Sequence, residues 1–148
     1  MQDKKNKIYI PAIIIFWIIT ALFILILFAM FVPFRVMNFG MFVVPFQVLL
    51  FALGILLIVL AAKARFTKIS KIFFILTGSA ALGMGLSIIL HNLLYAFFIK
   101  FFSKNLQQSM MTGDEPFFFI LATVVCPLIL MAGVIGIIVL LAKKKVKA

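Results

Sequence analysis

The only histidine in the chain, His91, lies in the run SAALGMGLSIILHNLLY at residues 79–95. Ser79, Gly83, Ser87, His91 and Tyr95 recur at every fourth position there, so a helix stacks them along one face. The lower part of that stripe is small, which suits helix contacts inside a membrane. Its upper part is polar, and polar groups at membrane depth are costly. Asp114 and Glu115 follow in a TGDEP turn, and a carboxylate beside an imidazole would fix its tautomer. His91, Asn92, Tyr95, Asp114, Glu115 and Gln47 therefore form a candidate outward-facing polar site. The competing reading makes His91 and Tyr95 headgroup-level residues and Asp114 a helix cap.

Other chemistries fit less well. His91 with Asp114 and Glu115 has no recognised metal-ligand spacing, so the expectation is no metal and no cofactor. Ser87 and His91 stand four apart, as a nucleophile and base would on a helix, but no oxyanion hole is evident, and no catalytic residue is assigned. The single cysteine, Cys126, excludes an intrachain disulfide and a cycling thiol pair. One histidine excludes bis-histidine haem ligation within one chain.

These residues must be positioned by apolar helices. Of 148 residues, 67% are hydrophobic, and the mean hydropathy is +1.36. Soluble domains are roughly 45–50% apolar. The sequence predicts an all-α fold: a four-helix transmembrane bundle, up-down-up-down, in one membrane domain covering 1–148. Its helices are expected at about 8–32, 43–62, 72–99 and 115–142, each with the ~20 apolar residues a crossing needs. The first run is too long for a signal peptide and lacks a small-x-small cleavage site. Pro11 suits a first helical turn, Pro33 ends the first helix, and Pro45 could begin the second. Gly54 is a candidate close contact.

Residues 97–111 place Lys100, Ser103, Lys104, Gln107 and Gln108 on one helical face, and Phe98, Phe101, Phe102, Leu106 and Met110 on the other. That pattern predicts an amphipathic extension or surface helix between helices three and four. In the fourth helix Pro127 should introduce a kink and free the Thr123 carbonyl. Ala132 with Gly136, and Ala122 with Cys126, form small-xxx-small pairs for helix packing.

Charge sets the orientation. The chain has 14 Lys and Arg against 3 Asp and Glu. Eleven of the cations lie in the N-terminal segment, residues 63–71 and the C-terminal tail; Arg35, Lys100 and Lys104 lie in the other two connections. The positive-inside rule then places both termini in the cytoplasm of a multi-pass cell-membrane protein (plasma or inner membrane). The partners expected are the lipid bilayer, anionic headgroups at the cytoplasmic face, and a second copy or another membrane protein. Nucleic acid is not expected, because the cations flank apolar runs.

His91-Asn92-Leu93-Leu94-Tyr95, residues 113–122 (GDEPFFFILA) and Cys126-Pro127 resemble small uncharacterised four-helix membrane proteins of prokaryotes. That resemblance implies no substrate and no cofactor. Three functions are compatible with the residues. A non-enzymatic accessory or partner-binding module fits the lack of catalytic equipment. An oligomeric transporter or channel component is the alternative, although no carboxylate lies within a helix core. A lipid-acting enzyme with an outward-facing site would use His91 and an acid.

Overall fold

The computed structural model describes residues 9–31, 39–101 and 116–146. Helix α1 spans Tyr9–Phe31, α2 Phe39–Lys63 and α3 Lys68–Phe101. Then α4 (Pro116–Ile120), a π-helical turn (Leu121–Val125) and α5 (Cys126–Val146) follow one another directly. Among the described residues, four helices are long and apolar enough to cross a membrane. Their outward faces are as apolar as their contacts: Ile14, Phe28, Val48, Leu128 and Ile135 are all exposed. Exposed apolar surface of that extent is foreign to soluble monomers and suits a hydrocarbon solvent.

The contacts follow a narrow stripe on each helix. Buried positions are Ala12, Phe16, Ile19, Phe23 and Ile26 on α1, Leu50, Gly54, Leu57 and Ala61 on α2, and Cys126, Leu130, Gly133 and Ile137 on α5. Alternating steps of three and four residues keep one seam facing a neighbour, as in coiled-coil packing. Helix α3 packs against α1, α2 and the α4–α5 segment. Against α2 it presents glycine: a Cβ on Gly54 would lie 2.7 Å from the Gly78 carbonyl oxygen, and one on Gly85 would lie 2.5 Å from Phe51 Cβ. Against α5, Gly133 abuts Thr77 and Gly136 abuts the Phe73 ring. In both pairs the partners run in opposite order along the two helices. Only glycine permits so close an approach, and dispersion attraction across the seam replaces the hydrophobic driving force that lipid removes.

A line of rings ties α1 to α3. Tyr9 lies 4.9 Å from Phe66, Phe66 stacks on Phe74 at 4.4 Å, and Phe74 meets Phe16 edge-on at 5.3 Å. Each such pair is worth about 0.5–1.5 kcal/mol beyond its buried area. The buried threonines are self-sufficient: Thr20 and Thr77 each donate to the carbonyl four residues earlier, Phe16 and Phe73, at 2.9 Å.

Several boundaries differ from the sequence expectation. Helix α2 begins at Phe39, so Pro45 lies inside it. Proline has no N–H, and the carbonyl four residues earlier forgoes its usual helical donor. Helix α3 begins at Lys68 because Thr67 caps it. The Thr67 Oγ1 accepts the Ser70 N–H at 3.3 Å and shares a 2.8 Å hydrogen bond with the Ser70 hydroxyl. The connection thus shrinks to residues 64–67. Pro127 is accommodated by the preceding π turn, in which the Cys126 N–H reaches back five residues to the Leu121 carbonyl. The bonding register thus shifts from four residues to five immediately before Pro127, and Thr123 makes an interaction of its own. Helix α3 continues to Phe101; the rest of the expected amphipathic stretch, with Asp114 and Glu115, lies outside the described residues.

Candidate functional site

Helix α3 carries the polar residues singled out in the sequence to the end of the molecule away from the residue 64–67 connection. From Lys71 to His91 is about 30 Å of helix axis. His91 is half-buried there and Asn92 is exposed. Tyr95 belongs to the same helix.

The contacts of Gly136 with Phe73, Gly133 with Thr77, and Gly83 with Cys126 define the α3–α5 register. Beyond the Gly83 contact α3 goes on to pack against the π turn and α4. Asp114 and Glu115 precede α4 by only a few residues in sequence. On α2, the Gln47 carbonyl oxygen would lie 2.9 Å from a Cβ on Gly85. Gly85 lies about 9 Å along the helix axis from His91, on a face rotated by roughly 120°. His91, two turns beyond Gly83 on α3, lies on the α4 side of that contact, and the Gln47 backbone lies level with Gly85.

The four-residue stripe is not a single contact face. Each step of four overshoots a full turn by about 40°. Across Ser79, Gly83 and Ser87 the stripe accordingly passes from exposed through half-buried to buried. Gly83 lies against Cys126, whose Sγ would be 2.9 Å from an added Cβ. Cys126 is buried at that contact, where it acts as a small packing residue. Ser79 points away from the neighbouring helices. Ala132 is likewise exposed, whereas Gly136 is packed. Ser87 is buried one turn below His91, and no hydrogen bond joins the two.

The seam glycines Gly78, Gly85 and Gly133 fall outside the sequence patterns described above. Their signal is small residues at steps of three, four and seven, as in Gly78, Ala81 and Gly85. Tyr9, Arg65, Thr67 and Ser70 also fall outside those patterns, and they gather at the opposite end. There the Thr-x-x-Ser spacing is the legible mark of a helix start.

Chemically, the His91 end offers an imidazole and a carboxamide for directional hydrogen bonding beside an apolar rim of Leu93 and Phe97, both exposed. Among the described residues, no three His, Cys, Asp or Glu side chains gather as a metal site would require. Comparison of the chain with known protein families, curated proteins and solved structures returned no match.

Proposed function

We propose that this chain is an up-down-up-down four-helix bundle of the cell membrane, with both termini cytoplasmic, serving as a non-enzymatic module that binds another membrane protein through its outward, His91-bearing end. The observation that carries this reading is the character of the interior. The buried polar residues among those described are Thr20, Thr77 and Ser87, and both threonine hydroxyls are spent on their own helices. A path for ions or polar solutes needs a succession of polar groups or water-lined walls, and a glycine seam closed by dispersion contacts offers neither. The polar groups collect instead at helix ends. His91 and Asn92 with the neighbouring Leu93 and Phe97 make a mixed polar and apolar rim, the composition of a recognition surface.

Native mass spectrometry of the full chain, extracted in mild detergent, tests it. The expected result is a stoichiometric complex with a second membrane protein that Asn92→Trp abolishes without lowering accumulation of the chain. A homogeneous preparation that carries solute flux in proteoliposomes would instead make it a transporter.

A further inference from the structure

At the end opposite His91, a cleft of about 140 Å³ opens between the start of α1, the α2–α3 connection, the start of α3 and the last turns of α5. Its rim is polar and basic: Tyr9, Arg65, Thr67 and Ser70. Its floor is apolar, with Phe66, Phe74 and Leu141 among the residues lining it. We propose that this cleft binds one anionic glycerophospholipid, its phosphate held at the rim by Arg65 and its glycerol and upper acyl carbons lying on the floor.

Three observations converge on that occupant. First, the rim has unused donors. Arg65 is exposed and makes no hydrogen bond or ion pair among the described residues, so its guanidinium can present a fork to phosphate oxygens. Thr67 and Ser70 share a single hydroxyl–hydroxyl bond. Two hydroxyls carry two protons and that bond consumes one, so whichever donates, the other is left a proton to give.

Second, the rim's charge is uncompensated among the described residues. No acid stands among the described residues, since Asp3, Asp114 and Glu115 all lie outside them. Lys63, Lys68 and Lys71 flank Arg65 in sequence. Lys71 is already committed to the Ala62 carbonyl, which leaves Arg65 as the cation that lines the cleft.

Third, size and polarity match one headgroup attachment and nothing larger. Cavities of about 150 Å³ accommodate a benzene-sized group, and a phosphodiester is of similar bulk. A soluble phosphate would leave the apolar floor wet, whereas a lipid uses rim and floor together. The cleft also lies where a headgroup must be, at the ends of helices whose middles are apolar. This inference rests on the chain spanning a bilayer, and it is independent of any partner at the His91 end.

The full chain in a neutral detergent, titrated with dihexanoyl phosphatidylglycerol or dihexanoyl phosphatidylcholine and read by native mass spectrometry, tests the proposal. The expected result is one phosphatidylglycerol adduct, with occupancy reduced about tenfold by Arg65→Gln, the loss of one charge-assisted contact. Leu141→Trp, which fills the floor and leaves every charge in place, should lower it comparably. Lys68→Gln, which removes the same charge from an exposed position outside the cleft, should change it by no more than about twofold. Melting temperatures measured alongside separate loss of binding from loss of fold. Equal adducts with phosphatidylcholine, equal losses with Lys68→Gln and Arg65→Gln, or retention in Leu141→Trp would overturn the proposal. Displacement by millimolar inorganic phosphate would show a free-anion site and would overturn the lipid assignment.

Discussion

The Lys71 ammonium donates a 2.8 Å hydrogen bond to the Ala62 carbonyl across the turn between α2 and α3. The last carbonyls of a helix have no intrahelical donor, and the helix dipole places partial negative charge there. One side chain from the first turn of α3 thus caps the end of α2. Lys71→Met keeps the apolar stem and deletes the donor. It should cost about 1 kcal/mol, read as a lower melting temperature in detergent. Lys68→Met, at an exposed neighbour, should leave the melting temperature unchanged; equal losses would mean that Lys71 does not cap α2.

Glycine replacements should rank by what the new methyl meets. Alanine favours a helix over glycine by about 1 kcal/mol, so any net loss reports the contact. At Gly54 the methyl would meet backbone, with the Gly78 carbonyl oxygen and the Leu82 nitrogen each 2.7 Å away. Backbone cannot rotate aside, so Gly54→Ala should be destabilising by about 1–3 kcal/mol. At Gly78 the methyl would meet Ile58 Cγ1 at 2.8 Å and the Gly54 carbonyl oxygen at 3.0 Å, a single close backbone contact in place of two at 2.7 Å, and Gly78→Ala should be milder. Thermal melts in one detergent measure the order, and the reverse order would contradict the glycine seam between α2 and α3.

Gly83→Leu should lower the melting temperature far more than Ile89→Leu. Gly83 faces the Cys126 sulfur, while Ile89 is exposed on the lipid-facing side. Insertion of a large side chain into a packed contact costs about 1–3 kcal/mol. Equal, negligible effects would mean that α3 and α5 do not meet at this level.

The number and apolarity of the helices were legible because length and hydropathy alone decide a crossing. The seams were not. In a helix that is apolar all round, polarity does not distinguish lipid from neighbour, so the contact face is marked by size. Four-residue spacing puts Ser79 on a packing stripe, yet Ser79 is exposed, because that spacing drifts around the helix. Gly78 and Gly85, seven apart, hold the same face and mark the contact with α2. At the helix ends the local rules decided: Thr67 and Ser70 start α3 ahead of the apolar run. Beside Pro127, where the sequence predicts a kink, the chain forms a π turn, which is itself a common site of bending. The rise from Lys71 sets His91 about 30 Å along its helix, which continues beyond it to Phe101. Spacing within one helix could not show that Gln47 lies level with Gly85, since that depends on how α2 and α3 are set against each other.

Disulfide trapping tests the setting of His91. In a Cys126→Ala background, His91→Cys combined with Asp114→Cys should cross-link under mild oxidation, since a disulfide needs Cβ atoms about 3.5–4.5 Å apart. Ser79→Cys with Asp114→Cys should stay reduced. Cross-linking of the second pair in place of the first would place the TGDEP turn away from His91.

The orientation of the chain in its membrane is tested most directly by a membrane-impermeant maleimide applied to intact cells. Single cysteines at Lys68, in the basic connection, and at Gln108, between α3 and α4, are placed in the Cys126→Ala background. In the proposed up-down-up-down arrangement eleven of the 14 cations share the Lys68 side, and such an imbalance holds a segment in the cytoplasm. Gln108→Cys should label in intact cells, and Lys68→Cys only after permeabilisation. Labelling of Lys68→Cys from outside, with Gln108→Cys protected, would invert the protein and contradict the outward placement of His91.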